Sequence, residues 1–466
     1  MGSAEKRWWR FTPVHKKQIR PLARVHGYVV YQRFLKQTQS WPLPKRQAWV
    51  LEKLKRTLVR AYEGVPFYRE RFQKAGFNPQ RDFQSTADLA RLPVLTKEDV
   101  RSHHEQMIDR RFLLGSVVAN TSGTTGQPMV MRLNEAYIAF DYACMFRHWG
   151  QAGYTFRAPF AAIRSYVPSS PQQPLWKYNY WQNTLYMSAY HLKPSNCERY
   201  LKALLKFRPL YLRGYSSSLN VLAEFAYSCR EKFDFVRGVF TASETVSPSE
   251  RANIEGVFGK KLFDWYGMTE PAVVITEGPS HDGMEVNWEY GYPEFLAEPG
   301  LLPNQRKLIA TSLHNPVMPF IRYETGDITS LAVTPADGTE RMYPKIQSIT
   351  GRKDDCILTP DGGRLPSLNF YSLLQTHTEI LRFQFVQTDL HNVTMKISFR
   401  PTAKRTEAVV ASVRRDVAKR LGPELTLTID LSDEFVRGRE GKTPTFLRTF
   451  DLNSSAPCTD EQTGRN

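Results

Sequence analysis

Hydrophobic and polar positions follow two different periods along the chain. In residues 46–76 the apolar residues recur at helical spacing, and the stretch is interrupted at Gly64-Val65-Pro66, which predicts helices separated by a turn. Farther along, short apolar runs that suit strands alternate with helical segments. This alternation indicates an α/β fold built of layers. The predicted elements are strands at residues 115–120, 128–133, 211–212, 235–241 and 261–265, and helices after Asn134, at 197–206 and from Ser216.

Beyond Gly351 the pattern becomes simpler. A unit of about 100 residues is large enough to fold around its own core. We therefore expect a large N-terminal domain at residues 1–350, a small α+β domain at 351–452 and a disordered polar tail at 453–466. The elements predicted for the small domain are strands at 382–387, 392–399 and 425–430 and a helix at 406–421.

The composition adds a strong positive charge to this picture. The 466 residues include 63 Lys and Arg against 46 Asp and Glu, a formal net charge of +17. With 41% hydrophobic residues the chain can bury more than one core, which excludes a largely disordered protein. The charge suits polyanionic partners such as nucleic acid, acidic lipid, ATP and coenzyme A, and it does not choose among them.

Cysteine usage and hydropathy indicate the cellular compartment of the protein. The 5 cysteines are far apart, so the sequence has no C-x-x-C pair, zinc ribbon or dense disulfide framework. No apolar run is long enough for a transmembrane helix, and the first residues lack the apolar segment of a signal peptide. These features predict a cytoplasmic protein without a structural metal.

A basic arm comprises residues 1–25. Basic runs are usually solvated segments, and this interpretation takes precedence. Aromatic residues within the arm keep a second interpretation open, in which it contacts a membrane surface and the protein is peripheral to the inner membrane face. The arm holds Lys6, Arg7, Arg10, Lys16, Lys17, Arg20 and Arg24, interleaved with Trp8, Trp9 and Phe11.

A run rich in hydroxyls and glycines separates the strands predicted at 115–120 and 128–133. Glycines let backbone N–H groups approach a phosphate closely, and Ser and Thr hydroxyls add further donors. The run lacks the Gly-Lys-[Ser/Thr] ending of a Walker loop, so a kinase-like P-loop is not predicted. A phosphate cradle and an ordinary flexible turn both remain open. The residues are Thr121, Ser122, Gly123, Thr124, Thr125 and Gly126.

A second candidate site is the segment 265–270, which includes Tyr266, Gly267, Thr269 and Glu270. An aromatic ring can stack on adenine, a Thr hydroxyl can meet a phosphate oxygen, and a carboxylate is the ligand that Mg²⁺ prefers. This spacing suits one compact nucleotide site. The alternative interpretation is an apolar strand end followed by a turn.

Motifs in a fixed order resemble the adenylate-forming superfamily of acyl-CoA synthetases, adenylation domains and luciferases. The likeness covers nearly the whole chain. Within the superfamily, the segments 65–68, 92–97, 214–217 and 311–319 resemble the phenylacetate-CoA ligases and their relatives from capsule and exopolysaccharide biosynthesis. The superfamily motifs are residues 121–128, Ser243-Glu244, 266–270, 322–327, 351–355 and Gly441-Lys442.

The resemblance implies a nucleotide-binding role for most of these motifs. The loop at 121–126 holds the β- and γ-phosphates, and Mg²⁺ is bound by Glu270. Asp327 accepts hydrogen bonds from the ribose hydroxyls, with Arg352 beside it. The adenine pocket is lined by Ser243, Glu244, Tyr266 and Gly267.

Catalytic roles are implied for Lys442, Thr269 and Glu270. Lys442 bridges the carboxylate and the α-phosphate during adenylation, and Thr269 contacts the α-phosphate. The implied fold is a large multi-layer N-terminal domain with mixed β-sheets and a smaller, mobile C-terminal domain that carries Lys442. Thr443-Pro444-Thr445 departs from the pattern of basic or aromatic residues at this place, which leaves the acceptor step less defined than adenylation.

The implied reaction has two halves. ATP and a carboxylic acid give an acyl-adenylate and pyrophosphate, and a thiol, coenzyme A before others, then displaces AMP. One alternative is a ligase that passes the acyl group to an amine, such as one on a sugar. A second is a non-catalytic nucleotide-binding scaffold in polysaccharide assembly. No recognition motif for nucleic acid is present, and neither the acid nor the oligomeric state follows from the sequence.

Aromatic residues are dense between the loop and Ser243. They suit an aryl or sugar-acid pocket and a packed core equally well. The set comprises Trp176, Tyr178, Tyr180, Trp181, Tyr186 and Tyr190.

Overall fold

The computed structural model divides by its internal contacts into two compact units; the described residues up to Arg352 belong to the larger unit and those after it to the smaller. The described residues of the two units are 21–120, 129–164, 166, 174–189, 192, 194–299, 301–332, 341–352, 356–360, 364–366, 370, 377, 379–400, 403, 406–422, 424–432, 434–436 and 444–450.

Helices begin and end where the sequence supplies caps. The Asn134 side chain accepts a hydrogen bond from the Ala136 N–H (2.8 Å) at a helix start. Ser247 and Glu250 form a capping box at another helix, which is followed by Gly259 in the left-handed region, φ 64°. No helix in the described ranges is long and apolar enough to cross a membrane. The helices are α1 (Pro21–Thr38), α2 (Leu43–Gly64), α3 (Pro66–Lys74), α4 (Pro79–Asp82), α5 (Lys97–His103), α6 (Glu135–Gly150), α7 (Pro194–Phe207), α8 (Ser216–Ser228), α9 (Pro248–Phe258) and α10 (Glu407–Leu421).

The strands of the larger unit belong to one large sheet and one antiparallel pair. They are β1 (Ser116–Asn120), β2 (Val130–Asn134), β3 (Phe160–Arg164), β4 (Trp176–Asn179), β5 (Thr184–Ser188), β6 (Tyr211–Gly214), β7 (Gly238–Ala242), β8 (Leu262–Gly267), β9 (Val274–Glu277), β10 (Met284–Val286), β11 (Gly291–Leu296), β12 (Gln305–Ser312), β13 (Tyr323–Leu331) and β14 (Ile346–Arg352). β1 pairs with β2, and residues 121–128 between them lie outside the described ranges.

The large sheet is mixed. Across the described residues its strand order is β11-β12-β13-β14-β10-β9-β8-β7-β6-β3-β5-β4. In this spatial order, the neighbouring strands β8, β7, β6, β3 and β5 are parallel to one another. The strands from β11 across to β8 pair antiparallel, and so does the β4–β5 pair. The predicted α/β fold with a mixed sheet is therefore confirmed.

The two faces of the parallel half pack against different helices. Alternate residues of a strand point to opposite faces, so each strand contributes to two cores. Leu212 and Val239 pack in a cluster with residues of α7, α8 and α9. Tyr211 and Phe240 face the other way and pack with Trp149 of α6. This double cover explains why the parallel strands are apolar on both faces.

The N-terminal helices pack onto parts of the sheet that come much later in the chain. α1 lies against α6, where Gln32 donates a hydrogen bond to the Ala143 carbonyl (2.8 Å). Tyr68 of α3 is buried; its hydroxyl donates to the Pro319 carbonyl (2.8 Å) and accepts from the Ile321 N–H (3.1 Å). These bonds hold α3 on the sheet core that leads into β13.

The smaller unit has a sheet and a helix around its own core. Its sheet order is β19-β18-β17-β20, and α10 contributes the buried residues Val413 and Val417. β15 and β16 form a separate antiparallel pair. The strands are β15 (Cys356–Leu358), β16 (Arg364–Pro366), β17 (Ile380–Gln387), β18 (Asn392–Phe399), β19 (Thr426–Asp430) and β20 (Phe446–Arg448).

One predicted boundary needs correction. The strand predicted at 235–241 begins only at Gly238, because the Val236 N–H donates to the Phe233 carbonyl (3.0 Å) in a turn. The basic arm predicted at residues 1–25 overlaps α1, whose helical backbone begins at Pro21. The strand at 392–399 is found with the predicted bounds.

A prediction for stability comes from Gly291 at the start of β11. A Cβ placed there would lie 1.7 Å from the Ala272 carbonyl oxygen, which is backbone and cannot turn aside. Gly291→Ala is expected to lower the free energy of unfolding by roughly 1–3 kcal/mol or more. Gly256→Ala, in α9 with no atom within 4 Å of its Cβ, is expected to raise it by about 0.5–1 kcal/mol. Thermal unfolding measures both, and equal effects would contradict the close approach.

Candidate active site

Turns follow three parallel strands at one edge of the large sheet. β6, β7 and β8 run parallel, with Ala242 of β7 opposite Trp265 of β8, so their carboxyl ends meet at this edge. In open α/β sheets, ligands bind in the crevice beyond the carboxyl ends of the strands. The turns after β7 and β8 contain residues that the sequence predicted for a nucleotide site. This edge is therefore the candidate active site.

The turn after β7 places Ser243 and Glu244. Ser243 has a left-handed backbone, φ 73°, and its Oγ accepts a hydrogen bond from Arg164 (3.1 Å). Glu244 Oε2 accepts from the Ser217 N–H (3.0 Å) and the Ser216 hydroxyl (3.3 Å) at the start of α8. Its Oε1 is buried and has no hydrogen-bond partner among the described residues. A buried acceptor without a partner costs roughly 1–3 kcal/mol, which an N–H group of a ligand would offset.

The end of β8 is joined to β13 by a hydrogen bond. The Tyr266 hydroxyl donates to Asp327 Oδ2 (2.5 Å), and the Asp327 N–H donates to the Thr325 hydroxyl (3.0 Å). Burial, with the Asp327 carboxylate beside it, raises the pKa of Tyr266 well above its ordinary value. Tyr266 therefore keeps its proton at neutral pH and remains a donor. The backbone of Arg352 pairs with that of Asp327 across β13 and β14.

Gly267, at the end of β8, and Glu270, in the turn that follows it, each have a close neighbour. A Cβ at Gly267 would lie 2.6 Å from the Trp265 Nε1 atom, so the strand end has no room for a side chain there. Glu270 is buried, and its Oε1 accepts a hydrogen bond from the Tyr323 hydroxyl of β13 (2.8 Å). Thr269, in the same turn, is exposed.

The donor set at this edge fits magnesium held jointly with a substrate. The described residues contain no group of three or more His, Cys, Asp and Glu that could hold a metal ion by themselves. Mg²⁺ is commonly bound by one or two carboxylates together with substrate phosphates and water. Glu270, oriented by Tyr323, supplies one such carboxylate.

Asp264 adds a buried carboxyl to β8. It accepts hydrogen bonds from the Thr241 hydroxyl (2.7 Å) and the Trp265 N–H (3.0 Å). Burial raises the pKa of Asp264 to about 6; Glu277 raises it further, whereas Arg251 and the two hydrogen bonds oppose the rise. The strand that carries Tyr266 therefore contains a group that titrates near neutral pH.

The structure brings seven of the predicted site residues to one sheet. Ser243, Glu244, Tyr266, Gly267, Thr269, Glu270 and Asp327 lie on or after β7, β8 and β13. The predictions for Thr121, Ser122, Gly123, Thr124, Thr125, Gly126 and Lys442, and for the side chain of Arg352, concern residues outside the described parts.

Sequence reasoning missed the partners of these residues. Three of these partners, Ser216, Ser217 and Tyr323, lie within segments that carry the family resemblance. Their hydroxyl groups were therefore the available signal for a hydrogen bond to a site residue. Arg164 had no such signal, because its contact with Ser243 joins residues 79 positions apart.

The architecture defines the class of protein. The chain superposes on the crystal structure of 2-hydroxyisobutyryl-CoA ligase in the postadenylation state in complex with R3-HIB-AMP with a TM-score of 0.67 and 20% identity, covering 88% of this chain and 90% of that one. A structure of the same ligase with 2-HIB-AMP and CoA, in an open conformation, gives a TM-score of 0.55 and 21% identity over 87% and 92%. The fold is that of the adenylate-forming CoA ligases.

Sequence comparison gives the more particular relationship. The chain is 25% identical to Protein CapK of Staphylococcus aureus over 393 residues, 83% of this chain and 85% of that protein. It is 27% identical to the phenylacetate-coenzyme A ligase of Escherichia coli over 362 residues, covering 72% and 76% of the two chains. No family model matches the chain. The prediction of an adenylate-forming ligase similar to phenylacetate-CoA ligases is confirmed.

The raised pKa of Asp264 predicts a pH dependence of stability. Between about pH 4, the ordinary carboxyl range, and about pH 6, the folded chain holds this proton and the unfolded chain does not. Stability from this group is therefore present at low pH and lost as the pH rises through that window. Asp264→Asn should reduce the loss by roughly 1–3 kcal/mol. Parallel curves of unfolding free energy against pH for the two proteins would contradict this.

Proposed function

We propose that the protein activates a carboxylic acid with ATP, as an acyl-adenylate with release of pyrophosphate, and transfers the acyl group to the thiol of coenzyme A. The observation that carries the proposal is the Tyr266–Asp327 hydrogen bond at the strand edge beside the Glu244 turn. It joins two motifs of the superfamily in a single polar site. The phenylacetate-coenzyme A ligases among the relatives support this reaction class.

Nucleotide recognition is assigned to groups whose chemistry suits each part of ATP. The Tyr266 ring stacks on adenine, and the free Glu244 Oε1 accepts an N–H of the base. Asp327 accepts from the ribose hydroxyls, because the Tyr266 hydroxyl holds its carboxylate in place. The hydroxyl- and glycine-rich run at 121–126 receives the β- and γ-phosphates.

Adenylation needs two anions to approach each other. A carboxylate attacks the α-phosphorus of a polyanion only when both are held in line and the growing charge is neutralised. Lys442 supplies a cation that contacts both groups, and Thr269 donates a hydrogen bond to the α-phosphate. Glu270, oriented by Tyr323, would hold Mg²⁺. The ion would supply further positive charge at the phosphates.

A role in capsule or exopolysaccharide biosynthesis is the finer part of the proposal. The similarity to Protein CapK over 83% of the chain supports it, together with the sequence resemblance to ligases of that setting. The acid would then be attached to a polysaccharide precursor after activation.

The function is tested by Mg²⁺-dependent release of pyrophosphate from ATP. A panel of aryl, fatty, amino and uronic acids is assayed with and without coenzyme A, and hydroxylamine traps the activated acyl group. Release with a particular acid establishes the acyl-adenylate. A thioester formed only with coenzyme A establishes the acceptor, whereas an amide formed with an amine would establish the alternative ligase.

Lys442→Ala serves as the inactive control in this assay. It should slow pyrophosphate release by about 10²-fold or more, the scale for removing one group that stabilises a transition state. ATP binding should persist, because the phosphate run lies elsewhere in the chain. ATP binding without pyrophosphate release from any acid, in wild type and variant alike, would favour the scaffold alternative.

Glu270→Gln is expected to raise the Mg²⁺ concentration required for half-maximal activity. The amide keeps the size of the side chain and removes the negative charge that attracts the ion. Glu231→Gln changes an exposed carboxylate in the loop before β7 and is the matched control. Titrations of Mg²⁺ against pyrophosphate release measure the effect. Identical titrations for wild type and Glu270→Gln would refute the metal assignment.

A further inference from the structure

Side chains of neighbouring strands form a row on the sheet face that α6 covers. In register, Lys177 of β4 pairs with Tyr186 of β5, and Tyr186 pairs with Ala162 of β3. Ala162 pairs in turn with Arg213 of β6, and Arg213 pairs with Phe240 of β7. Directly opposed residues of adjacent strands point to the same face. Arg213 is thus a cation set between a small and a large apolar side chain.

The contacts of Arg213 within the described chain are with neutral groups of α6. Its Nη1 lies 3.2 Å from the Met145 sulfur, and its guanidinium lies 5.3 Å from the centre of the Trp149 ring. Burial lowers the pKa of Arg213 to about 9, so the side chain is still charged at neutral pH. No carboxylate oxygen of the described residues forms an ion pair with it.

Three other arginines with low exposure each form an ion pair with a glutamate. Arg147 pairs with Glu289 (2.8 Å), Arg251 with Glu277 (2.9 Å) and Arg322 with Glu294 (2.8 Å). Each of these cations has a carboxylate because a buried charge without a partner is costly. Arg213 is partly buried and has no such carboxylate among the described residues, so its charge is available to a ligand.

Arg164 provides a second cation on the same face. It lies two positions beyond Ala162 on β3, toward the carboxyl edge of the sheet, and contacts the Ser243 hydroxyl and the Tyr215 ring. Its charge contributes to the lowered pKa of Arg213, which shows that the two guanidinium groups act on each other. Along this face Arg164 lies nearer to the nucleotide edge of the sheet and Arg213 lies farther from it.

Asp141 of α6 compensates these charges only in part. Its carboxylate accepts a hydrogen bond from the Tyr290 hydroxyl (2.8 Å), and burial raises its pKa. Arg164, Tyr142, Tyr186, Asp141 and His148 interact electrostatically with Arg213, and Asp141 is the one carboxyl among these five groups. The cluster retains an excess of positive charge.

We propose that Arg213, together with Arg164, binds a second anionic group carried by the acid substrate, at the end remote from the carboxylate that is activated. The inference rests on the proposed function and names its substrate class: dicarboxylic acids, or acids with an equivalent anionic group, rather than apolar acids. Ala162, opposite Arg213 in register, has no polar side-chain atom that would bind the guanidinium in place of a ligand, and the two cations supply charge-assisted hydrogen bonds to the anionic group.

Matched pairs of acids test this substrate class. Succinate, glutarate, adipate and 4-carboxyphenylacetate are compared with butyrate, valerate, hexanoate and phenylacetate, in which a methyl group or hydrogen replaces the second carboxylate. Two readouts are used: pyrophosphate release from Mg²⁺-ATP and the shift in Tm that each acid produces. At least one diacid is expected to exceed its partner by about 10-fold or more in kcat/KM, the scale of a hydrogen bond to a charged group.

Variants at Arg213 connect this preference to the side chain. Arg213→Met should abolish the preference, lowering kcat/KM for the diacid by about 10- to 10²-fold, and leave the Tm shift caused by ATP unchanged. Arg213→Lys keeps the charge and should retain part of the preference. Arg237→Met removes an exposed cation just before β7, at the opposite end of the strands, and should behave as wild type. Circular dichroism establishes that each variant is folded.

Each remaining outcome has a defined meaning. A wild-type enzyme that prefers the neutral acids, or a preference for diacids that is unchanged in Arg213→Met, overturns the inference and leaves the proposed function standing. Loss of ATP binding in Arg213→Met also overturns it, because the guanidinium would then serve the nucleotide. If no acid releases pyrophosphate, the proposed function fails, and the Tm shifts decide the inference. Diacids that then shift Tm no more than their partners overturn it.

Discussion

β8 pairs parallel with β7 on one side and antiparallel with β9 on the other, and the candidate site depends on this change of direction. The parallel neighbours bring the turns after β6, β7 and β8 to one edge. The antiparallel half brings β13 back to the same place, with Asp327 and Tyr323 opposite the end of β8. A sheet of one type alone would supply only one half of these groups.

The hydrogen bond between Tyr266 and Asp327 determines which group at this edge donates and which accepts. A partly buried hydroxyl and carboxylate each lose water on folding, and the hydrogen bond between them offsets that loss. Because the pKa of Tyr266 is raised, the phenol remains the donor, and Asp327 remains the acceptor. Glu270 likewise accepts a hydrogen bond from a tyrosine hydroxyl, that of Tyr323, which orients its carboxylate. Glu244 differs, since one of its oxygens is buried without a partner in the described chain.

Local patterns predicted the elements of both units more reliably than the contacts between them. β18 was found at its predicted bounds because its residues alternate between buried and exposed. The antiparallel strands from β9 to β14 were not predicted, since several are buried along most of their length and show no such alternation. The family motifs predicted roles for Tyr266, Glu270 and Asp327, and the structure brings these three residues to one edge. Arg213 was not identified, because its position opposite Ala162 depends on strand order, which periodicity does not contain.

The Tyr68 bonds to Pro319 and Ile321 span 251 and 253 positions of the chain, which bears on how the larger unit is synthesised and folds. Contacts of such high sequence separation form slowly, because a long loop must close before they contribute. During translation, α3 emerges from the ribosome long before its partners exist. Its apolar face is therefore exposed to chaperones and to other nascent chains until the segment before β13 has been made. α3 is therefore synthesised well before it can complete its packing.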